Sequence, residues 1–423
     1  MEGDIDMEEK GVSFLAVLAA SAAAAAAAPA ATVAGVEIDD ATHAMTVSYT
    51  LDAPAIVTAD FLTNGVSIGE GNFRSLSGDV NRYVADVSQT RSFVWQPGVD
   101  GDWTGGGDMS VRLTAWSTNC PPDYMAVDLV ATNQIWFYVS EAAIPLGLQH
   151  AVYKSSRMLM RKIPAAGVTF RMGSPATESY HRDDEILHLV KLTNDFYIGV
   201  FPVTQRQWKT LTKKDSSSSH TTEATLPDHW LFPANAITYN SLRGKTDDGI
   251  DWPTTGRFEV SADSYLQTIR TLTGISTMDL PTEAEWEYAC RAGTSGPNYN
   301  GATVNAAAAK EIGWYLANSP VDGTKVPHPV GLKKPNAWGL YDMLGNMHEW
   351  CIDWSGEYEF EDPAAATVAP PGPKTGIYRV KRGGASYEHD INYMRSAIRD
   401  GNNPGIGSIY NGVRLYCSVP VDP

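Results

Sequence analysis

The chain is organised around one stretch, Trp338-Gly339-Leu340-Tyr341-Asp342-Met343-Leu344-Gly345-Asn346-Met347-His348-Glu349-Trp350. Its aromatic and aliphatic residues predict a buried strand or turn, in which Gly339, Gly345 and Asn346 supply the sharp backbone angles that bulky residues avoid. Two carboxylates, Asp342 and Glu349, interrupt this apolar run. Burying a carboxylate without a partner is costly, so each of the two should either face solvent or share a cation.

The spacing of the polar groups in this stretch suits a hard cation. Calcium takes roughly six to eight oxygens, drawn from carboxylates and from the backbone carbonyls of a tightly turned loop. The pattern predicts a structural calcium site formed by the side chains of Asp342 and Glu349 and the carbonyls of Gly345 and Met347. The alternative is an exposed turn in which both acids are solvated.

The stretch also resembles the GLYDMxGNVWEW signature of the formylglycine-generating enzyme (sulfatase-modifying factor) family. Three further blocks resemble the family in the same order, at residues 170–174, 196–204 and 280–288, and the closing segments 382–384, 395–399 and 412–414 continue the match. The resemblance covers roughly residues 156–423. It implies an α+β domain of the C-type-lectin-like fold, with much irregular loop and bound calcium.

Composition narrows the possible partners. The 423 residues are enough for two domains with a core in each. With 32 Lys and Arg against 49 Asp and Glu, the net charge is −17. This balance argues against nucleic acid and anionic membrane, since both need basic patches. The four cysteines, Cys120, Cys290, Cys351 and Cys417, are too few for a disulfide scaffold, and no CxxC pair indicates zinc.

The amino end, residues 1–31, is an Ala-rich segment that looks like a secretory signal. Its flank is acidic, with Lys10 as the one basic residue, so an Ala-rich helix is the alternative. No later stretch reaches the ~20 apolar residues that a membrane-spanning helix needs. We therefore predict an exported protein, whether secreted, periplasmic or at the cell surface, without a membrane span.

Residues 32–140 alternate between apolar and polar with a period of two. Examples are Met45-Val47-Tyr49-Leu51 and Ile135-Phe137-Val139, and Gly-rich turns lie between such runs. The pattern is typical of an antiparallel β-sandwich of immunoglobulin-like type, with a structural rather than a chemical task. Residues 141–157, with a proline and a glycine, read as the linker to the second domain.

Residues 158–423 form the predicted formylglycine-generating-enzyme-like domain. Thr204 and Thr282 each precede Gln or Glu by three residues, a capping box that starts a helix. We therefore expect helices at about 205–212 and 283–291, and a third at about 261–273.

The resemblance implies two metal chemistries, and the sequence lacks the ligands of both. Formylglycine-generating members bind copper through a cysteine pair just after the Gly-Gly turn, and copper(I) needs soft thiolates. The corresponding window, 385–394, contains no cysteine. Sulfoxide-synthase members bind iron through histidines on an added helical domain, where this chain has a β-domain and no His-x-x-x-His. We expect no catalytic residues, with a metal-dependent oxidoreductase of the family as the alternative. A Cys290–Cys417 disulfide, as in some relatives, is left open.

The segment 385–411 has a composition suited to binding. After Lys381 the chain contains no Trp, Lys, Gln, Thr or Phe, although the whole protein holds 12 Trp. Tyr, Ser, Gly and Asn are the residues that binding loops favour. The predicted contacts with an unidentified protein or glycan ligand are Tyr387, His389, Asp390, Ile391, Tyr393, Ile398, Asp400, Gly401, Ile406, Ser408, Ile409 and Tyr410.

This composition resembles the variable proteins of diversity-generating retroelements, which use the same lectin-like fold. There, AAY codons mutated at adenine yield Asn, Asp, Tyr, His, Ser, Ile and Gly, but not Lys, Glu, Gln, Met or Trp. Glu388 and Met394 do not fit and would be fixed positions. An ordinary family member with a polar loop is the alternative. A cell-surface structural module without a specific ligand is a further hypothesis.

Overall fold

The computed structural model describes residues 28–100, 108–215, 228–301, 303–321, 324–360, 362, 364–386 and 390–421. They form two compact units, one comprising residues up to 124 and 136–148, the other residues 125–135 and 149 onward. Residues 1–27 of the signal-like segment, and the predicted contacts Tyr387 and His389, lie outside the described residues.

The secondary structure is mostly strand with few helices. The strands are Ala31–Ile38 (β1), Met45–Leu51 (β2), Ala55–Thr63 (β3), Val66–Ser67 (β4), Leu76–Gly78 (β5), Arg82–Val84 (β6), Arg91–Trp95 (β7), Met109–Trp116 (β8), Tyr124–Asp128 (β9), Ile135–Tyr138 (β10), Arg157–Ile163 (β11), Thr169–Met172 (β12), His188–Lys191 (β13), Phe196–Gly199 (β14), Pro320–Val321 (β15), Thr324–Lys325 (β16), His348–Trp354 (β17), Thr367–Val368 (β18), Arg379–Arg382 (β19), Arg399–Asn402 (β20), Asn411–Gly412 (β21) and Tyr416–Ser418 (β22). The helices are Pro97–Asp100 (α1), Gln205–Thr212 (α2), Tyr239–Arg243 (α3), Tyr265–Thr273 (α4), Glu283–Arg291 (α5) and Ala306–Ile312 (α6).

Two antiparallel sheets build the first unit around one aromatic core. Their strand orders are β1-β2-β7-β5 and β4-β3-β6, and β8 also pairs with β3. Both sheets contribute to a single buried cluster, in which the ring centroids of Phe61 and Trp95 lie 4.3 Å apart. The predicted alternation is present in β2, where Met45, Val47 and Tyr49 are buried and the residues between them are partly exposed.

The boundary between the units differs from the predicted one. The predicted linker, 141–157, is divided, because 141–148 belongs to the first unit and 149–157 to the second. Strand β9 falls within the predicted sandwich, 32–140, yet it pairs with β11 of the second unit. Strand pairing is set by distant partners, and a short apolar run carries no local mark of which sheet it will join.

Among the described residues, three larger sheets carry the second unit, with the strand orders β9-β11-β14-β22, β12-β13-β18 and β20-β19-β17-β21, and β15 pairs with β16 in a fourth, two-stranded sheet. Strand β17, which begins with the last three residues of the stretch 338–350, is buried along its whole length. Its neighbours Leu340, Met343 and Leu344 pack with Trp286 of α5 in the main core cluster. The stretch is therefore central to this unit, as predicted.

The predicted capping boxes are formed. The Thr204 Oγ1 accepts the Gln207 N–H at 3.1 Å while the Gln207 Oε1 accepts the Thr204 N–H at 3.0 Å, and Thr282 and Glu285 repeat this arrangement at α5. Both helices have the predicted bounds. Helix α4 begins later than predicted because the Ser264 side chain caps it. Within the described ranges, no helix is both long and apolar enough to cross a membrane.

Candidate functional site

Glu349 of β17 is the partner of a buried arginine. Both of its carboxylate oxygens accept hydrogen bonds from the Arg414 guanidinium, from Nε at 2.9 and 3.0 Å and from Nη2 at 2.8 Å. The indole Nε1 of Trp286 donates to Oε2 at 2.6 Å. Arg414 also donates to the carbonyls of Gly199 and Tyr341, which ties the last strands of the chain to the central stretch.

Asp342 has a different environment. Its Oδ2 accepts the Gly331 N–H at 2.6 Å, while its Oδ1 is buried and makes no hydrogen bond to the described residues. Burial raises the pKa of Asp342 to about 6, against the lowering effect of the Gly331 hydrogen bond and of Arg414. Asp342 is thus a buried carboxyl with one oxygen left unsatisfied, which is unusual in a protein core.

These environments decide how well the four predicted calcium ligands fit one ion. The free oxygen of Asp342 suits a cation, and the turn that follows has positive φ at Asp342, Gly345 and Asn346. Glu349 does not fit, because Arg414 and Trp286 already occupy both of its oxygens. Met347 is buried in the same turn. The arrangement therefore does not match a cage drawn from all four residues, and Asp342 is the one side chain with a vacant oxygen.

Buried ion pairs hold the backbone of the predicted binding segment. Arg395 donates to the two carboxylate oxygens of Glu185 at 2.6 and 2.7 Å, and to Glu178 at 2.9 Å. Arg399 donates to both oxygens of Glu283 at 2.7 and 2.9 Å. All three glutamates are far from this segment in the sequence. The two arginines therefore tie the segment to the rest of the unit at two points. Such bidentate pairs fix geometry as well as charge.

The predicted contact residues lie mostly before and after these two anchors in the chain, and most are at the surface. Asp390 and Ile406 are exposed, and the remainder of those described are partly exposed, namely Ile391, Tyr393, Asp400, Gly401, Ser408, Ile409 and Tyr410. Ile398 is the exception: it is only 2% exposed. The prediction that Ile398 contacts a ligand is wrong, since it follows the Arg395 turn into the sheet and packs in the core.

Two of the predicted contacts, Asp400 and Tyr410, lie beside His348, and Tyr393 lies beside its partner Gly384. The Nε2 of His348 lies 4.0 Å from the Oδ2 of Asp400, and its backbone N–H donates to the Tyr410 carbonyl at 3.0 Å. The Gly384 N–H donates to its Nδ1 at 3.2 Å, and Gly384 packs against the backbone and Cβ of Tyr393. His348 and Gly384 thereby link the segments that carry Tyr393, Asp400 and Tyr410.

The structure adds residues that the sequence analysis missed. Lys381 places its Nζ 3.2 Å from Asp400, so this predicted contact residue is already ion-paired. Tyr378 lies against Gly401, and both it and the preceding Ile377 are exposed hydrophobic residues. They escaped notice because they precede the Gly-Gly turn, and only the pairing of β19 with β20 brings them beside the segment.

The cysteines of this unit are poor candidates for redox chemistry. Cys290, Cys351 and Cys417 are buried free thiols, so the open question of a Cys290–Cys417 bond is answered in the negative by this structure. Burial raises the pKa of the Cys290 thiol to about 12 and that of the other two as well. Copper and nucleophilic chemistry need the thiolate, which these environments disfavour. Among the described residues, no group of three or more His, Cys, Asp or Glu side chains could hold a metal ion.

A β-rich unit with few helices, closed by a Gly-Gly turn and buried arginines, fits the C-type-lectin-like class of fold. The model of the sulfatase-modifying factor enzyme 1-like domain matches residues 151–419. The chain belongs to this family.

Several proteins are similar to about a third of this chain. The formylglycine-generating enzyme of Thermomonospora curvata is 35% identical over 144 residues, which is 32% of this chain and 48% of that protein. The corresponding enzyme of Streptomyces coelicolor is 40% identical over 144 residues, 32% of this chain and 45% of that protein. The serine/threonine-protein kinase pkn1 of Chlamydia pneumoniae is 40% identical over 143 residues, 33% of this chain and 21% of that protein. The matched region thus spans about half of each enzyme and about a fifth of the kinase.

Two solved structures resemble the chain. Treponema denticola variable protein 1 has a TM-score of 0.47 and 25% identity, covering 62% of this chain and 96% of that one. PvdO from Pseudomonas aeruginosa has a TM-score of 0.47 and 23% identity, covering 62% and 94%.

Proposed function

We propose that this is an exported, non-catalytic ligand-binding protein whose second unit presents residues 390–410 to a protein or glycan. The proposal rests on the different burial of two kinds of residue within this segment. Its two arginines are buried and ion-paired, whereas the described predicted contacts other than Ile398 reach the surface. A binding surface needs protruding side chains on a backbone that does not move. The buried ion pairs fix the backbone, and the surface residues supply the protruding side chains.

The proposed surface comprises the partly exposed Tyr393, Asp400 and Tyr410 and the exposed Ile406. Aromatic anchors usually carry much of the energy of an interface, ~2 kcal/mol or more each when central. The exposed Ile377 and Tyr378 enlarge the apolar area beside Gly401. A patch of this kind on a monomer is itself a sign of a partner.

Diversification by a retroelement is the finer form of the proposal. The residue types of 385–411 support it, and so does the surface position of Asp390, Tyr393, Asp400 and Tyr410. Four further positions of a residue type that an AAY codon could yield are buried, namely Ser386, Ser396, Ile398 and Asn411. Asp400 is the position where substitution would matter most for the scaffold, because it neutralises the nearly buried Lys381. The sequence of the flanking DNA is the direct test: the proposal requires a reverse-transcriptase gene and an adenine-rich copy of codons 385–411.

The remaining parts of the proposal are supporting roles. The first unit would serve as an immunoglobulin-like spacer, which its two antiparallel sheets on one core support. A structural calcium ion would satisfy the free oxygen of Asp342. The metal-dependent oxidoreductase of the same family is the second candidate, favoured by the formylglycine-generating relatives and disfavoured by the buried thiols.

The binding role is tested with a matched pair of exposed aliphatic residues. Ile406 is 56% exposed and lies in the segment, whereas Leu332 is 59% exposed and lies outside it. Ligands are first sought with the full chain on a glycan array and on a surface-displayed protein library. We expect Ile406→Ala and Tyr410→Ala to weaken binding about tenfold or more, and Leu332→Ala to leave it unchanged. Equal effects of the three substitutions on binding would contradict the proposed surface.

A further inference from the structure

A cavity of the second unit is bordered by Arg399 of β20. Its inner part, of about 250 Å³, is lined by residues that include His188, Asp353, Tyr358 and Arg399. A wider outer part, of about 560 Å³, shares Tyr358, Glu359 and Thr367 with it and is open to solvent. Arg399 faces this cavity while Asp400 does not, because neighbouring residues of a strand point to opposite faces.

Asp353 closes the inner end of the cavity. It is 2% exposed, and its Oδ2 accepts the N–H of Glu283, the first residue of α5, at 2.7 Å. The nearby cations are committed elsewhere, since Arg399 pairs with Glu283 and Arg257 with Glu285. Among the described residues no lysine or arginine forms an ion pair with Asp353.

The electrostatic consequence is a neutral acid. Burial, with a further contribution from Glu283, raises the pKa of Asp353 to about 8. The titratable and charged groups that face Asp353 or line the cavity with it are Glu283 and Glu285 of α5, Arg257, Cys351 of β17, Arg379 of β19, His188 of β13, Arg399 of β20, and Tyr358 and Glu359 of the loop. The 370–373 loop, with Gly372 against Asp353, adds none. A buried carboxyl without a counter-ion keeps its proton until a cation arrives.

Aromatic rings line the way to this carboxyl. The His188 ring lies between those of Tyr358 and Phe360, with centroid distances of 4.4 and 5.1 Å. The Tyr358 hydroxyl is buried and makes no hydrogen bond to the described residues. Proline and aromatic faces give an apolar wall to an aliphatic stem, and the acids Glu359 and Asp362 lie at the outer part.

We propose that this cavity binds a short alkyl-ammonium group, which enters past Glu359, lays its aliphatic stem along the Tyr358 and proline walls, and pairs its charge with Asp353. An ammonium supplies the counter-ion that the carboxyl lacks and a donor for the Tyr358 hydroxyl. The group can belong to a free amine or to a lysine side chain. The site uses none of the predicted contacts of residues 390–410, so it stands independently of the proposed function.

Calorimetry of the full chain with n-butylamine tests the site. Because the ion pair requires the ionised carboxyl, binding at pH 7 should release about one proton per amine, seen as a dependence of the heat on the buffer. The apparent affinity should rise about fiftyfold from pH 6 to pH 8 and level off above that. Uncharged n-butanol should bind at least about tenfold more weakly. A peptide with one lysine, set against butylamine, distinguishes a side chain from a free amine as the source.

Two variants and a control complete the test. Asp353→Asn keeps an acceptor for the Glu283 N–H and should abolish both proton release and pH dependence, while Tyr358→Phe should weaken binding with proton release intact. Glu311→Gln, at an exposed position on α6 that does not line the cavity, should behave like the parent. Equal binding of butanol and butylamine, an affinity that does not change between pH 6 and pH 8, or no binding of butylamine at millimolar concentration would each overturn the proposal.

Discussion

Replacing Asp342 by asparagine should change how the stability of the protein depends on pH. Burial raises the pKa of this carboxyl from about 3.8 to about 6, so the folded protein holds the proton more tightly than the unfolded chain. The resulting stability is fully present below pH 3.8 and is lost as the pH rises through 6. A shift of this size corresponds to about 3 kcal/mol of unfolding free energy in total.

Asparagine keeps an acceptor for the Gly331 N–H but does not titrate. The effect of the substitution itself on the unfolding free energy does not depend on pH. It therefore cancels when the change in unfolding free energy between two pH values is compared for the two proteins. Between pH 4.5 and pH 8 in excess chelator, the parent should therefore lose about 2 kcal/mol more than Asp342→Asn. The assay is urea unfolding followed by tryptophan fluorescence, with the free energy extrapolated to zero urea at each pH. Parallel pH profiles of parent and variant would refute the reasoning.

The same pair of proteins tests the calcium proposal. An ion that binds only the folded state stabilises it by about 2.7 kcal/mol at a hundred times its Kd. At pH 8 the parent should gain stability on addition of calcium, because the ion holds the ionised Asp342, and Asp342→Asn should gain less. A parent whose unfolding free energy is the same in calcium and in chelator has no such site.

Two further predictions concern the buried ion pairs and the absence of copper chemistry. Glu349→Ala leaves Arg414 buried without its partner and should cost about 3–5 kcal/mol of unfolding free energy with or without calcium. The control, Glu311→Ala, breaks an exposed pair with Lys334 and should cost no more than about 1 kcal/mol. Similar losses of unfolding free energy in the two variants would contradict the buried-pair assignment. Incubation with copper and a sulfatase-type cysteine peptide should produce no aldehyde above a no-protein control, because the window 385–394 offers no thiolate pair.

The sequence determined those features that depend on neighbouring residues. Helices α2 and α5 start where a threonine and a Gln or Glu three residues later form a capping box, an arrangement complete within one turn. The sequence also predicted that the glycines of the central stretch supply sharp backbone angles, and Gly339 and Gly345 indeed adopt positive φ. The family follows from ordered blocks along the chain, and the family model matches the same region.

Only the tertiary structure decided how the charged groups are used. Glu349 looked like a calcium ligand, but Arg414, 65 residues later, takes both of its oxygens. Asp400 looked like a free contact residue until the pairing of β19 with β20 placed Lys381 beside it. Ile398 looked exposed and is buried. The physical reason is common to all three: the state of a carboxylate or an apolar side chain depends on which distant groups fold around it, and the free energy of that choice lies in desolvation and pairing rather than in local backbone preference.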